Sequence, residues 1–281
     1  MTTESAIESR GRPIRPARDG LLGGRSAMPT KQRRVLVTGA RGAIGRAASK
    51  ELRSRGHFVR GFGRNAMDDV DEVHVGNLAD ADAVRQAVSG MDTVVHLAAT
   101  PDDADFMGDL LPNNVIGAHN VFDACREEEV ERLVVASTVQ VVSGLRRSSD
   151  LSLIRIEDGT AVRNHYGVTK VFGEAMAEMY AHRYGISMIV VRLGWLPREP
   201  HHTLSISKSA ASQAIYLSPT DAGRFHACCV EAGELPPVVT VFATSRSNGP
   251  TVLDLEPARK WLGFEPVETW PQGRPHPVPE G

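Results

Sequence analysis

Arg34-Val35-Leu36-Val37-Thr38-Gly39-Ala40-Arg41-Gly42-Ala43-Ile44-Gly45 decides how this chain folds. Val35, Leu36 and Val37 form a short apolar run of the kind buried on both faces of a parallel sheet. Glycines follow at positions 39, 42 and 45, and Ile44, Ala47, Ala48 and Leu52 then recur at helical spacing up to Gly56. Each glycine has its own task. Gly39 makes the tight turn, Gly42 lets the backbone approach phosphate oxygens, and Gly45 lets the new helix pack closely on the sheet. The helix N-terminus offers free N–H groups to an anion. The backbone from Gly39 through Arg41, Gly42, Ala43 and Ile44 to Gly45 is therefore expected to cradle the pyrophosphate of a dinucleotide.

Outward from this turn, strand and helix patterns alternate. Residues 57–62 and Val73-His74-Val75 read as strands, 80–89 as a helix, and Thr93-Val94-Val95-His96-Leu97 as a strand closed by Ala98-Ala99. A helix over about 114–128 leads to a strand over 132–136. After a loop over 143–163 comes a long helix over 164–184 whose apolar positions include Val168, Phe172, Met176 and Met179, and then a strand over 186–193. Residues 195–217 are irregular, and 219–231, 238–243 and 257–262 read as helix, strand and short helix. Such alternation forces parallel pairing with right-handed crossovers and ligands at the carboxyl ends of the strands. The expected fold is α/β, a Rossmann-type doubly wound parallel sheet with a small C-terminal substrate-binding portion. The expected divisions are a disordered segment over 1–32, a nucleotide-binding domain over 33–194, a small substrate-binding portion over 195–270 and a tail over 271–281.

Composition removes other classes. The 281 residues carry a formal net charge of −2, which leaves no electrostatic footprint for nucleic acid. Cys125, Cys228 and Cys229 give neither a disulfide framework nor zinc-ligand spacing, so no metal is expected and a reducing, cytoplasmic compartment is. No apolar run approaches the roughly 18 residues that span a bilayer. In the first segment, arginines stand among Gly, Pro and Ser, but Glu4, Glu8 and Asp19 argue against a targeting peptide, and Met28 offers a second start.

Tyr166 and Lys170 lie four apart on the long helix and so project from one face. A phenol beside a nicotinamide serves as proton acceptor for a carbinol, and an adjacent ammonium is expected to lower its pKa from near 10. Ser137 and Thr138 follow the fifth strand, where a hydroxyl would hold the substrate oxygen.

These features resemble the extended branch of the short-chain dehydrogenase/reductase superfamily, the NAD-dependent epimerases and dehydratases, over about residues 33–270. The resemblance rests on Thr38-Gly39-x-x-Gly42-x-x-Gly45, His96-Leu97-Ala98-Ala99, Asn114-Val115-x-Gly117-x-x-Asn120-Val121, Ser137-Thr138, Tyr166-Gly167-Val168-Thr169-Lys170 and Arg192-Leu193-Gly194. It implies that Thr138 is the hydroxyl partner, Tyr166 the acid/base, and Lys170 both a ligand of the cofactor ribose and the tuner of Tyr166. It also places Leu97, Ala98, Ala99 and Asn114 at the cofactor, with Asn77 and Leu78 near the adenine. The C-terminal portion and Leu217-Ser218-Pro219-Thr220-Asp221 look most like uronate dehydrogenases, which oxidise the anomeric carbon of a hexuronic acid. Those enzymes carry Ser-Ser-Asn-His where this chain has Ser137-Thr138-Val139-Gln140. Gln140 and Arg198 are the remaining substrate candidates. A homodimer through the long helix is implied by the same resemblance.

Two choices stay open in the sequence. Residues Phe62-Gly63-Arg64 end the second strand without the carboxylate that an NAD ribose favours, so Arg64 is either a 2′-phosphate ligand for NADP or a solvated surface group. Asn114 is either an active-site contact or a helix cap. His96 is expected to pack rather than to bind metal. The leading function is hydride transfer between NAD or NADP and a sugar or sugar-acid carbinol, a small-molecule substrate. Its rivals are a nucleotide-sugar epimerase or dehydratase using the cofactor transiently, and a non-catalytic sensor or scaffold.

Overall fold

The computed structural model describes residues 31–145 and 152–271, which belong to one compact unit. The segment expected to be disordered, up to residue 30, and the tail from 272 lie outside the described residues.

Among the described residues a 7-stranded parallel sheet runs in the order β3-β2-β1-β4-β5-β6-β7. Its strands are β1 (Arg34–Thr38), β2 (Phe58–Gly63), β3 (Glu72–Val75), β4 (Thr93–His96), β5 (Arg132–Thr138), β6 (Ser187–Leu193) and β7 (Val238–Ala243). The helices are α1 (Ala43–Ser54), α2 (Ala81–Val88), α3 (Gly117–Glu127), α4 (His165–Tyr184), α5 (Pro200–Ser207), α6 (Ala210–Gln213), α7 (Pro219–Glu231) and α8 (Glu256–Leu262). Chain order reverses between β1 and β4, and the crevice outside that switch is where such a sheet binds ligands.

Alternation along the strands divides the core in two. Val35, Val37, Val95, Val134 and Ile189 pack with Leu52 of α1, Phe225 of α7 and Leu262 of α8. Their neighbours Leu36, Val94, Leu133, Val135 and Met188 pack on the other face with Val84 of α2, Phe122 of α3 and Tyr180 of α4. Both faces of the sheet are thus covered, as an all-parallel sheet requires. Each large side chain buried there contributes roughly 1.5–3 kcal/mol.

Local chemistry sets the helix ends near the cleft. Gly39 has φ +70°, and its N–H donates to Phe62 O at 2.8 Å, which fixes the turn against β2. Asn164 caps α4 by accepting from the Gly167 N–H at 2.8 Å, and Gly185, left-handed at φ 74°, ends that helix. Ser218 caps α7, and the fully buried Asp221 accepts from Ser245 Oγ at 2.7 Å and from the N–H groups of Val267 and Glu268 at 2.9 and 3.1 Å. The stretch Leu217–Asp221 therefore anchors the last described part of the chain to the sheet.

Two expectations are corrected. The helix expected from Asn114 begins instead as a π-helix over Phe106–Ile116, which passes into α3 at Gly117. Pro112 lacks an N–H and its ring excludes the carbonyl four residues back, whereas five-residue pairing moves that carbonyl aside. The apolar positions of α4 mark its buried side only in part. Val168 and Met179 are 48% and 41% exposed, while Gly167, Thr169, Gly173, Ala177 and Ala181 are buried. Small residues let α4 approach the sheet, Tyr180 and the half-buried Met176 pack with the core, and Val168 and Met179 point outward.

Candidate active site

A cleft of about 1160 Å³ opens along the carboxyl ends of the strands. At one end it is lined by Gly39, Arg41, Gly42, Ala43, Ile44 and Gly45, with Arg64, Asn77 and Leu78 beyond them. Leu97, Ala98 and Ala99 line its middle, and Thr138, Gln140, Tyr166, Lys170 and Arg198 its other end. The fold thus brings together, on one cavity, all the residues singled out in the sequence except Asn114.

The glycine turn fits a pyrophosphate. A Cβ on Gly45 would lie 2.2 Å from Gly39 O and 2.7 Å from Ala40 Cα, so α1 abuts the turn as closely as backbone allows. The helix has no side-chain cap and no acidic residue in its first turn, which leaves its N-terminus to an anion. Arg41, Arg46 and Arg64 line this end of the cleft. Among the described residues the carboxylates that line the cleft are Asp102, Asp109 and Glu199, none of them on β2, β3 or the loops that follow those strands. Asn77 Oδ1 accepts from the Ala79 N–H at 3.1 Å, and Leu78 O accepts from Asn120 Nδ2 at 2.8 Å, so both are held in place.

At the other end, β5 runs two residues past its expected limit and carries Ser137 and Thr138 in the strand itself. Burial and the charge of Asp102 push the Tyr166 phenol up to about 12, while Arg198 and a hydrogen bond with the Thr138 hydroxyl pull it down. Lys170 Nζ donates to Ala136 O at 3.1 Å and lies 5.5 Å from the centre of the Tyr166 ring. Burial brings its own pKa down to about 8. The groups that lower the phenol in this arrangement are thus Arg198 and Thr138. The ammonium expected to do so is desolvated and directed at a carbonyl.

Asn114 is neither a helix cap nor a wall of the cleft. It is buried within the π-helix, where Nδ2 donates to Thr100 O at 3.0 Å and to Thr169 Oγ1 at 3.2 Å, and Oδ1 accepts from the Thr100 N–H at 2.7 Å. It ties the loop after β4 to the turn of α4 between Tyr166 and Lys170. The neighbouring Asn113 lines the cleft instead. Gln140 accepts at Oε1 from Asn164 Nδ2 at 2.7 Å, a contact that steadies the cap of the same helix.

Sequence reading missed the partner of Arg198. Its Nη2 donates to Asp102 Oδ2 at 2.5 Å, joining the loop after β6 to the loop after β4. Its N–H donates to His202 Nδ1 at 3.2 Å, and burial, with the charges of His201 and Arg198, lowers the pKa of that histidine against the pull of Asp102 and Glu199. His96 packs as expected. Its Nδ1 is 2.8 Å from Thr38 Oγ1, and burial with the charge of Lys170 brings it down to about 3. Among the described residues no cluster of His, Cys, Asp or Glu could hold a metal, and no helix is long and apolar enough to cross a membrane.

Comparison with known proteins agrees with this geometry. The NAD dependent epimerase/dehydratase family matches residues 35–199. An L-arabinose 1-dehydrogenase (NAD(P)(+)) of Haloferax volcanii is 31% identical over 83% of this chain and 96% of that protein. An NAD-dependent glucose-6-phosphate dehydrogenase of the same organism is 30% identical over 83% and 93%. The structure of a variant uronate dehydrogenase from Agrobacterium tumefaciens, complexed with NAD, superposes with a TM-score of 0.72 at 26% identity, covering 88% of this chain and 92% of that one. Matching motifs, sheet order and cleft leave one assignment: the chain belongs to the NAD-dependent epimerase/dehydratase family, in the extended branch of the short-chain dehydrogenases/reductases.

Proposed function

We propose that this protein is an NAD(P)-dependent dehydrogenase that oxidises a carbinol of a sugar or sugar acid. The observation that carries the proposal is the convergence of Thr138, Tyr166 and Lys170 on the cleft that begins at the glycine turn. In this reading the turn and the N-terminus of α1 hold the pyrophosphate, Asn77 and Leu78 flank the adenine, and Lys170 holds the nicotinamide ribose. A nicotinamide held there would supply the acceptor for a hydride from the carbinol carbon. Thr138 holds the substrate oxygen, and Tyr166 takes its proton in the phenolate form, which Arg198 and the Thr138 hydroxyl favour against burial. Nothing in Val139-Gln140 supplies the acid that a dehydratase needs beside Thr138. The relatives named as L-arabinose, glucose-6-phosphate and uronate dehydrogenases support a sugar substrate.

Net formation of NADH or NADPH, followed at 340 nm with a panel of aldoses, sugar phosphates and uronates, tests the reaction. An epimerase would convert substrate with no net reduction of added cofactor. Tyr166→Phe is expected to lower kcat by roughly 10²–10⁴-fold while NAD(P)H still binds; full turnover in that variant would remove Tyr166 from the chemistry. The exposed Val168 and Met179 of α4, with Ile116 nearby on the π-helix, support a homodimer packed along this helix, testable by sedimentation. The free thiols, Cys125 and Cys229 among them buried, are in keeping with a cytoplasmic site of action.

A further inference from the structure

The relatives reported above act, by their names, on sugars of different charge: a neutral pentose, a phosphate and a uronate. The end of the cleft beside Tyr166 carries its own charge pattern. Asp102, Asp109 and Glu199 line the cleft with Arg198, three carboxylates to one guanidinium. Arg198, a substrate candidate from the sequence, is already paired through Nη2 with Asp102. Lys170 is directed at Ala136 O. His202 accepts the Arg198 N–H at Nδ1, the behaviour of a neutral ring. Among the described residues, then, Arg198 and Lys170 at this end of the cleft each already have a partner.

Resting on the sugar-oxidising reading above, we propose that Asp102 selects the substrate by occupying Arg198, so that the site takes a neutral aldose and rejects a carboxylate or phosphate. An exposed ion pair is weak as a source of stability. Selection needs only a difference between two ligands, and unpaired like charges raised against one of them supply it. A carboxylate entering this end would have to share Arg198 with Asp102 and lie beside that like charge. A hydroxymethyl group, or a hydrogen at the same carbon, meets no such penalty.

The test uses the full chain and substrates that differ only at that carbon: L-arabinose, D-galactose and D-galacturonate. The expected result is a kcat/KM for the neutral sugars at least tenfold above that for the uronate. Asp102→Asn is expected to lower the ratio of KM(galacturonate) to KM(galactose) at least tenfold, Asp102→Glu to keep the wild-type ratio, and Asp102→Asn with Arg198→Ala to lose the gain. A general loosening of the loop would move both KM values together and leave the ratio unchanged. Preference of the wild type for the uronate, or an unchanged ratio in Asp102→Asn, overturns the proposal. Equilibrium titration of galacturonate into the enzyme–NAD(P)H complex, read by calorimetry, decides the same point without turnover. A gain in anion affinity in Asp102→Asn supports the role of Asp102 even if no sugar is oxidised, an outcome that would sink the dehydrogenase reading instead; no gain removes that role.

Discussion

The Ser137 hydroxyl donates to the Glu174 carboxylate at 2.5 Å, one residue before Thr138 and one helical turn after Lys170. The same carboxylate receives Arg192 Nε at 3.1 Å and Nη2 at 2.9 Å, and both partners of this ion pair are largely buried. Sheet register places Ser137 opposite Arg192. Three elements, β5, α4 and β6, are thus locked at one point beside the reactive end of the cleft. Removing one partner of a buried pair strands the other charge, which costs roughly 3–5 kcal/mol. Glu174→Ala is expected to lower the unfolding free energy by about 3 kcal/mol in urea denaturation. A change below 1 kcal/mol would show that the pair carries no such strain.

Arg64 lies at the end of β2, exposed, in a part of the cleft where Arg41 and Arg46 also stand. A 2′-phosphate there would gain a charge-assisted contact, worth roughly 1.5–3 kcal/mol for a hydrogen bond to a charged group. NADPH should bind more tightly than NADH by fluorescence titration, and Arg64→Ala should remove most of that difference while leaving NADH affinity nearly the same. Equal affinities in the wild type would return Arg64 to the solvated surface.

Gly45 has no room for a side chain, because the atoms around it are backbone. In Gly45→Ala either α1 moves away from the strand or the turn distorts, and each disperses the phosphate-binding N–H groups. Loss of NAD(P)H binding is expected together with a lower Tm. Retained affinity would mean that the pyrophosphate lies elsewhere.

Two buried histidines make stability depend on pH. Burial lowers His226 to about 4 and, with Lys170, His96 to about 3. Above an unfolded value near 6.5 both are neutral in the folded and the unfolded chain. As pH falls below it, the unfolded chain takes up protons that the fold refuses, so stability declines by up to roughly 1.4 kcal/mol per pH unit for each histidine. His226 donates from Nδ1 to Ala222 O at 2.7 Å, and among the described residues its Nε2 has no partner. Urea midpoints measured between pH 6.5 and 5 should fall more steeply in the wild type than in His226→Leu. Parallel slopes would show that His226 does not titrate in this way.

The features legible in the sequence are those that depend on spacing along one element. The glycine turn, the Tyr166–Lys170 pair and the hydroxyls after β5 repeat at intervals set by helix and strand geometry, and the alternation of patterns fixed a parallel sheet. Contacts between distant segments carried no comparable signal. Asp102 and Arg198 stand in different loops, and nothing near either names the other. Asn114 was misplaced because its role depends on a π-helix that a proline disguises. Met179 was misread for a related reason, since small residues make up most of the buried side of α4 and hydrophobicity alone pointed the wrong way.

One feature of the packing bears on how the protein is made. α1, formed by residues close to the glycine turn, packs on α7, and the carboxylate at the start of α7 waits for the N–H groups of Val267 and Glu268. During synthesis β1 and α1 emerge early, yet the side of α1 that meets α7 has no cover until α7 has left the ribosome. At about 5–20 residues per second the interval lasts on the order of ten seconds or more. The nascent nucleotide-binding half therefore spends that time with an open flank, a natural client for chaperones, and gains protease resistance only as the end of the chain arrives.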